Sequence, residues 1–103
     1  MPMQTLKILR AKVLSDCKPS DAFWVCTGEV VRNLYELARA VEAMGLDPFV
    51  YHVNDDNKKN DFARWIKEVL DDEELSRRLQ KVKIKSMYAE IIRDRIAELE
   101  SAG

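Results

Sequence analysis

The sequence contains few of the residue types that build metal sites, disulfide frameworks or nucleotide loops. Its 103 residues include two cysteines, one histidine and three glycines. Cys17 and Cys26 are nine positions apart, which suits neither a zinc knuckle nor a C-x-x-C redox pair. Three glycines are too few for a P-loop or a dinucleotide fingerprint. We therefore expect no cofactor and interpret both cysteines as free thiols, with a disulfide between them as the alternative.

Long hydrophobic runs and an excess of one charge are also missing. Residues 22–28 carry no charge, but they number only seven, whereas about 20 are needed to span a bilayer. The first four residues are not followed by the apolar region of a signal peptide. The net charge of −1 gives no overall field that would attract nucleic acid or an anionic membrane. We expect a cytoplasmic protein without membrane contact.

The composition that remains is typical of a small folded domain. Hydrophobic residues make up 47% and charged residues 34% of the chain, which argues against disorder. On folding, a chain of this length buries roughly 60% or more of the surface that its unfolded state exposes, so it can fold without disulfides or a structural metal. We expect a single helical domain over residues 1–103. Abundant Lys and Glu beside only two glutamines favour a thermophilic source.

The strongest apolar pattern lies in residues 61–70. Four large side chains recur there at positions i, i+3, i+4 and i+7: Phe62, Trp65, Ile66 and Val69. On a helical period they share one face, and burying each is worth roughly 1.5–3 kcal/mol before entropy is counted. We predict a central helix, capped by Asn60 or Asp61, around which the rest of the chain packs.

Capping residues predict the neighbouring helices. Asn33 and Glu36 have the spacing of a capping box, and Gly45 is expected to end that helix in the left-handed conformation. Asp47 before Pro48 predicts the next helix, with proline at its first position. Further helices are predicted over residues 4–14, from Ser20 to Cys26, from Asp71–Glu74 onwards and from about Ile84 to Glu100.

Two segments allow more than one interpretation. The run 22–26 is short enough to be extended instead of helical. The alternating stretch Lys81–Lys85 suits an extended connector, or a strand of a wing, as well as a helix. The polar tract 54–59 is expected to be a surface loop. Together these elements predict an all-α fold, a compact bundle of five to six short helices with orthogonal, helix-turn-helix-like packing.

Two motifs in residues 23–80 are similar to those of a known protein family. The first is His52-Val53-Asn54, and the second is Asn60-Asp61-Phe62 followed by Trp65-Ile66, with two residues between. An acidic stretch and Leu75 follow. In this pattern the chain resembles an uncharacterised small helical domain of archaeal and bacterial proteins, a family of unknown function. The resemblance implies a helical fold and transfers no catalytic residue.

His52, the only histidine, has two interpretations. With Asp55, Asp56 and Asp61 it would form a metal site of imidazole and carboxylates. Alternatively, it bonds Asp61 or a neighbour and fixes the angle between two helices. The absence of a second histidine or a cysteine nearby in sequence favours the second interpretation. We therefore expect no metal, and we assign a structural motif: His52, Asp61, Phe62, Trp65 and Ile66.

The sequence offers little support for catalysis. No serine lies in a nucleophile-elbow motif, and neither cysteine is close to His52 along the chain. The adjacent carboxylates of Asp71–Glu74 are typical of a helix start, where they cap and interact with water. We expect a protein that is not an enzyme and has no catalytic residue.

Two clusters of positive charge suggest a nucleic-acid surface. The first holds Arg77, Arg78, Lys81, Lys83 and Lys85 without an acid among them, and the second holds Lys7, Arg10 and Lys12. If folding joins them, they form a positive face suited to phosphates, beside a helix that could enter a major groove. The alternative is an exterior of solvated charges, which the near-neutral net charge favours.

The C-terminal helix suggests a protein partner. Its apolar residues cover more of the circumference than one narrow seam needs: Ile84, Met87, Tyr88, Ile91, Ile92, Ile96 and Leu99. Either the helix closes its own core, or it pairs with a second copy or with a groove on another protein. Arg95 on this flank argues against a heptad zipper. We rank a binding or adaptor role in protein–protein interaction first and nucleic-acid binding second.

Overall fold

The computed structural model describes residues 3–55 and 58–101, with side chains from residue 8 onwards. Over these residues the chain forms six α-helices and two short antiparallel hairpins, which confirms the predicted helical fold. In chain order the elements are α1 (Met3–Val13), a 3₁₀ turn (Pro19–Asp21), β1 (Phe23–Trp24), β2 (Val30–Val31), α2 (Leu34–Ala43), α3 (Leu46–His52), β3 (Val53–Asn54), β4 (Lys59–Asn60), α4 (Asp61–Glu68), α5 (Glu73–Leu79) and α6 (Lys85–Ser101).

Side-chain caps begin three of the helices. The Asn33 Oδ1 accepts the Glu36 N–H at 2.8 Å, while the Glu36 carboxylate accepts the N–H of Arg32 at 2.9 Å, one residue earlier than a standard capping box requires. Asn60 caps α4 by accepting the N–H of Ala63. Asp72 caps α5 in the same manner. Each cap satisfies a backbone donor that the first turn leaves without a helical partner.

The predicted helix from Ser20 to Cys26 is wrong, and its extended alternative is correct. After the 3₁₀ turn, Phe23 and Trp24 pair antiparallel with Val31 and Val30. Gly28 turns the chain between the strands at a φ of +99°. The alternation of a strand places Phe23 against the core and leaves Trp24 69% exposed. A two-residue strand is too short to show a period in sequence.

The predicted left-handed cap at Gly45 is also wrong. Gly45 has a φ of −72° and is the N-cap of α3, which begins at Leu46. Asp47 therefore lies inside the first turn, and Pro48 occupies the third helical position instead of the first. Proline is tolerated there because the N–H groups of the first turn have no intrahelical partner.

The core forms where α4 and α6 meet the other elements. Phe62, Ile66 and Leu70 are fully buried along one face of α4 and its C-terminal extension. From α6, Tyr88, Ile92 and Leu99 are equally buried, and this helix packs against α1, α2 and α5. None of the helices over the described residues has the length and hydrophobicity to cross a bilayer.

Two segments act as connectors: the residues before α6 and the polar tract after α3. Residues 82–84 belong to no helix or strand, so the connector interpretation of Lys81–Lys85 applies up to the first residue of α6. The tract 54–59 joins β3 to β4, whose pairing places Val53 opposite Asn60. Asp56 and Asn57 lie outside the described residues.

Candidate functional site

His52 joins three segments that are distant in sequence. Its Nδ1 lies 2.9 Å from Asp61 Oδ2 at the start of α4, and its Nε2 accepts the backbone N–H of Cys26 at 3.0 Å. A nitrogen that accepts an N–H carries no proton, so the ring is the neutral tautomer with its proton on Nδ1, donated to Asp61. The imidazole thus ties α3 to α4 and to the β1–β2 hairpin, as the structural interpretation predicts.

Aromatic rings enclose this imidazole. The ring centroids of Phe23 and Phe62 lie 5.2 and 5.0 Å from that of His52, which is only 4% exposed. Phe62 in turn lies 6.0 Å from Tyr88 of α6. Trp65 contacts Phe23 edge to face, and its Nε1 donates to the carbonyl of Asp21 at 2.8 Å. Together with the buried Ile66, these side chains form the centre of the fold.

The arrangement leaves no lone pair of His52 free. Nucleophilic catalysis by the exposed Cys26 thiol would require Nε2 as a base, but Nε2 is occupied by the N–H of the same residue. A metal would have to displace either that bond or the one to Asp61. Among the described residues there is no group of three His, Cys, Asp or Glu side chains that could hold a metal ion. The closeness of Cys26 to His52 was not visible in the sequence, where 26 positions separate them.

Replacing His52 by alanine is expected to lower the melting temperature by several degrees. Asp61 keeps its contacts to Lys59 and Arg64, so the main loss is the partly buried hydrogen bond from the Cys26 N–H, worth about 1 kcal/mol. About 1 kcal/mol corresponds to about 4–8 °C in a domain of this size. Circular dichroism melting measures the change, with Val50→Ala, an exposed position on the same helix, as the control. An unchanged melting temperature, or loss of a stoichiometric metal in the variant, would contradict the structural role.

The Arg77–Lys85 cluster is largely compensated by acids. Arg77 and Arg78 both pair with Glu74, at 2.6 and 2.8 Å, and Arg78 also pairs with Glu98. These two arginines hold the pKa of Glu74 down to about 2. Lys83 pairs with Asp55 at 3.0 Å.

Two lysines of this cluster have different surroundings. Lys85 donates to the carbonyls of Val41 and Glu42 at the end of α2. Lys81 is exposed and has no ion pair among residues 3–55 and 58–101. A single lysine of the cluster is therefore left with an uncompensated charge and no contact to another element.

The structure brings the two basic clusters only partly towards each other, because Arg78 pairs with Glu98 near the C-terminal end of α6 whereas Lys85 lies at its start. Tyr35 donates a hydrogen bond to Glu100, which raises the pKa of the tyrosine, and the nearby charge of Arg10 opposes that shift. Glu100 is at the C-terminal end of α6, whereas Lys85 begins that helix, about 22 Å away at 1.5 Å per residue. Lys12 pairs with Asp71, and the side chain of Lys7 lies outside the described part of the chain.

A buried ion pair, missed in the sequence, joins α5 to α6. The guanidinium of Arg95 donates two hydrogen bonds to Asp72, at 2.9 and 3.0 Å, and these residues are 3% and 0% exposed. Arg95 also contacts Glu98. Asp72 additionally caps α5. The arginine that argues against a heptad zipper is therefore part of the interior.

Four exposed apolar side chains lie on α3 and at the start of α6: Leu46, Val50, Ile84 and Met87. The rings of Phe49 and Tyr88, with centroids 5.3 Å apart, join the two helices at one point. Lys85 donates to a carbonyl at the end of α2, just before α3, and Lys83 pairs with Asp55, just after α3. These two contacts hold the start of α6 near both ends of α3. We name these four residues the α3–α6 face.

The rest of the C-terminal stripe faces the protein's own core. Tyr88, Ile92, Ile96 and Leu99 are buried, which agrees with the interpretation that α6 closes its own domain. On this helix, only Met87 in the first turn and Ile84, the residue before the helix, keep large apolar side chains open to solvent. Self-association through this helix would therefore use its N-terminal end.

Comparison with known proteins gives one match. The model of a family described as "Family of unknown function (DUF5752)" matches residues 17–100, most of the chain. No curated protein and no solved structure matches. The match agrees with the resemblance to an uncharacterised domain that the sequence motifs indicate.

Proposed function

The chain belongs to the DUF5752 family of unknown function, and we propose that it acts as a non-enzymatic adaptor that binds another protein. The observation that supports this role is the α3–α6 face, where four large apolar side chains are exposed on two segments that the Phe49–Tyr88 contact joins. Isolated exposed hydrophobic residues are normal on any protein, but a contiguous group marks a binding surface.

The size of the face indicates a transient contact. Four partly exposed side chains give a patch on the order of a few hundred Å², within the roughly 300–600 Å² of the largest patches on monomers. A stable interface buries about 800 Å² on each partner. A partner would therefore have to add polar contacts at the rim, where Asp47 and Glu90 are exposed on the same two helices.

The chemistry of the interior supports a role without catalysis. Both nitrogens of His52 are engaged in holding α3, α4 and the first hairpin, and Asp72 is engaged by Arg95. The buried groups His52, Asp72 and Arg95 are thus all held by hydrogen bonds inside the protein. This leaves the surface as the place where function is expected.

Nucleic-acid binding remains the second candidate, as the basic run Arg77–Lys85 suggests. The separation of Lys85 from Arg10 and the acidic partners of Arg77, Arg78 and Lys83 reduce the support for it. Binding to DNA through about five cations would weaken steeply with salt, because the slope scales with the phosphates neutralised. A gel-shift series at increasing salt separates the two candidates.

Affinity capture with matched variants tests the adaptor role. We expect the double variant Leu46→Glu/Ile84→Glu to recover at least about tenfold less of its partner from the source cell than the wild type, a loss of roughly 1.4 kcal/mol. The control Ile8→Glu/Trp24→Glu adds the same charge at two exposed apolar positions elsewhere and is expected to recover the wild-type amount. Light scattering identifies the case in which the partner is a second copy.

Equal recovery by both double variants would contradict the proposal, since it would mean that the α3–α6 face takes no part. Circular dichroism of the variants provides the folding check, because all four substituted positions are open to solvent.

A further inference from the structure

A polar cavity opens where β4 meets α4. Its volume is about 320 Å³, and it is lined by Lys58, Lys59, Asn60, Asp61, Arg64 and Gln80. A second cavity of about 210 Å³ shares four of these residues and adds Lys83 from the segment before α6. Lys83 is paired with Asp55, which also lines the second cavity, so the cations that converge here without that compensation come from the β3–β4 hairpin and from α4.

The charges in the first cavity do not cancel. Lys58, Lys59 and Arg64 contribute three positive charges and Asp61 one negative charge, in a chain whose net charge is −1. Lys58 has no ion pair among the described residues, and Arg64 touches Asp61 through one nitrogen at 3.3 Å. Most of the guanidinium donors of Arg64 are therefore free.

Asp61 lies behind the cations. Its side chain is 13% exposed, whereas that of Arg64 is 68% exposed. Asp61 Oδ2 contacts His52 Nδ1 and Lys59 Nζ, and its Oδ1 contacts Arg64. The carboxylate of Asp61, with its three partners, holds the cations in place from the interior side of the cavity. It presents little negative charge to the mouth of the cavity. The Lys59 ammonium is also fixed over the Tyr51 ring, at 4.2 Å.

We propose that this cavity binds a phosphate group. Its lining combines a guanidinium, two ammonium groups and the amide of Gln80, the donors that recognise phosphate oxygens. Among the described residues, no hydrophobic side chain lines it, so the site selects for charge and hydrogen bonding. The phosphate belongs either to a small metabolite or to a nucleic-acid backbone. None of the lining residues is in the α3–α6 face, so this inference and the adaptor role are tested independently.

Titration with inorganic phosphate, followed by ¹H–¹⁵N spectra at low ionic strength, tests the site. In the wild type we expect saturable shifts of the amides in residues 58–64, fitting one phosphate per chain. In Lys58→Gln/Arg64→Gln the apparent affinity is expected to fall at least tenfold. The control Lys67→Gln/Arg39→Gln removes the same two charge types at exposed positions outside the cavity and is expected to stay within twofold of the wild type.

Parallel titrations with pyrophosphate and a short single-stranded oligonucleotide identify the source. Tighter binding of pyrophosphate alone assigns the site to a small metabolite. Tighter binding of the oligonucleotide, lost in the Lys58→Gln/Arg64→Gln variant and kept in the control, assigns it to a nucleic-acid backbone. Shifts that do not saturate, that spread over the whole surface, or that weaken equally in both double variants would overturn the inference.

Discussion

Replacing Arg95 by methionine is expected to lower the free energy of unfolding by about 3–5 kcal/mol, because it leaves the carboxylate of Asp72 buried without its partner. Asp72 is fully buried, and its carboxylate would keep only the cap bond to the Leu75 N–H. Stability of a small domain is about 5–15 kcal/mol in total, so this one change removes a large part of it. Urea denaturation followed by circular dichroism measures the loss.

Two comparison variants separate the buried pair from general effects on α6. Arg93→Met removes an arginine two positions away that pairs with Glu42 at the surface, and exposed pairs contribute about 0–1 kcal/mol. The double variant Arg95→Met/Asp72→Asn removes the isolated charge but keeps an oxygen to cap α5. It is expected to be more stable than Arg95→Met alone. A loss for Arg95→Met no larger than that for Arg93→Met would contradict the structure.

Truncating Phe62 to alanine is expected to cost about 3–5 kcal/mol, the range for a large aromatic side chain in a core. Phe62 is fully buried, and its ring lies within 5.0 Å of both Phe23 and His52. Its removal opens a cavity between the first hairpin, α3 and α4. Chemical denaturation reports the change in the free energy of unfolding.

Trp24→Ala is the matched control for this aromatic cluster. Trp24 neighbours Phe23 in the same strand but is mostly exposed, and such surface substitutions usually stay within about 0.5 kcal/mol. If Phe62→Ala and Trp24→Ala have similar effects, the centre of the core lies elsewhere. Trp65, 7% exposed, would then be the next residue to examine.

The helices with regular apolar spacing or good caps were predictable because their signals are local. Phe62, Trp65 and Ile66 show the period of α4 within one stretch, and Asn33 with Glu36 marks the start of α2. The segment after Pro19 gave no such signal. Its two-residue strands are stabilised by Phe23 packing on distant rings, and no period can be seen over so few positions.

The interactions that define the interior connect residues far apart in the chain. Arg95 and Asp72 are separated by 23 positions, and the Cys26 N–H and His52 by 26. A sequence shows which groups can pair but not which ones the fold brings together. A buried arginine therefore cannot be told from a solvent-exposed one in the sequence. His52 with Asp61 was predictable because nine positions and one loop separate them.

The candidate surfaces were predictable only in part. Ile84 and Met87 were recognised as apolar, but Leu46 and Val50 complete the face only because α3 packs beside α6. The basic run Arg77–Lys85 could be identified in the sequence. Its acidic partners Glu98 and Asp55 could not, because they come from distant segments. Lys58, Lys59 and Arg64 form one cavity because β4 leads directly into α4.

The central claim is that His52 holds the fold together and is not a reactive group. A long-range ¹H–¹⁵N spectrum of this single histidine tests it directly at neutral pH. The structure predicts a neutral ring with its proton on Nδ1, bonded to Asp61, and an unprotonated Nε2 that accepts from Cys26. A proton on Nε2 would contradict the structure, because the bond from the Cys26 N–H could not then exist.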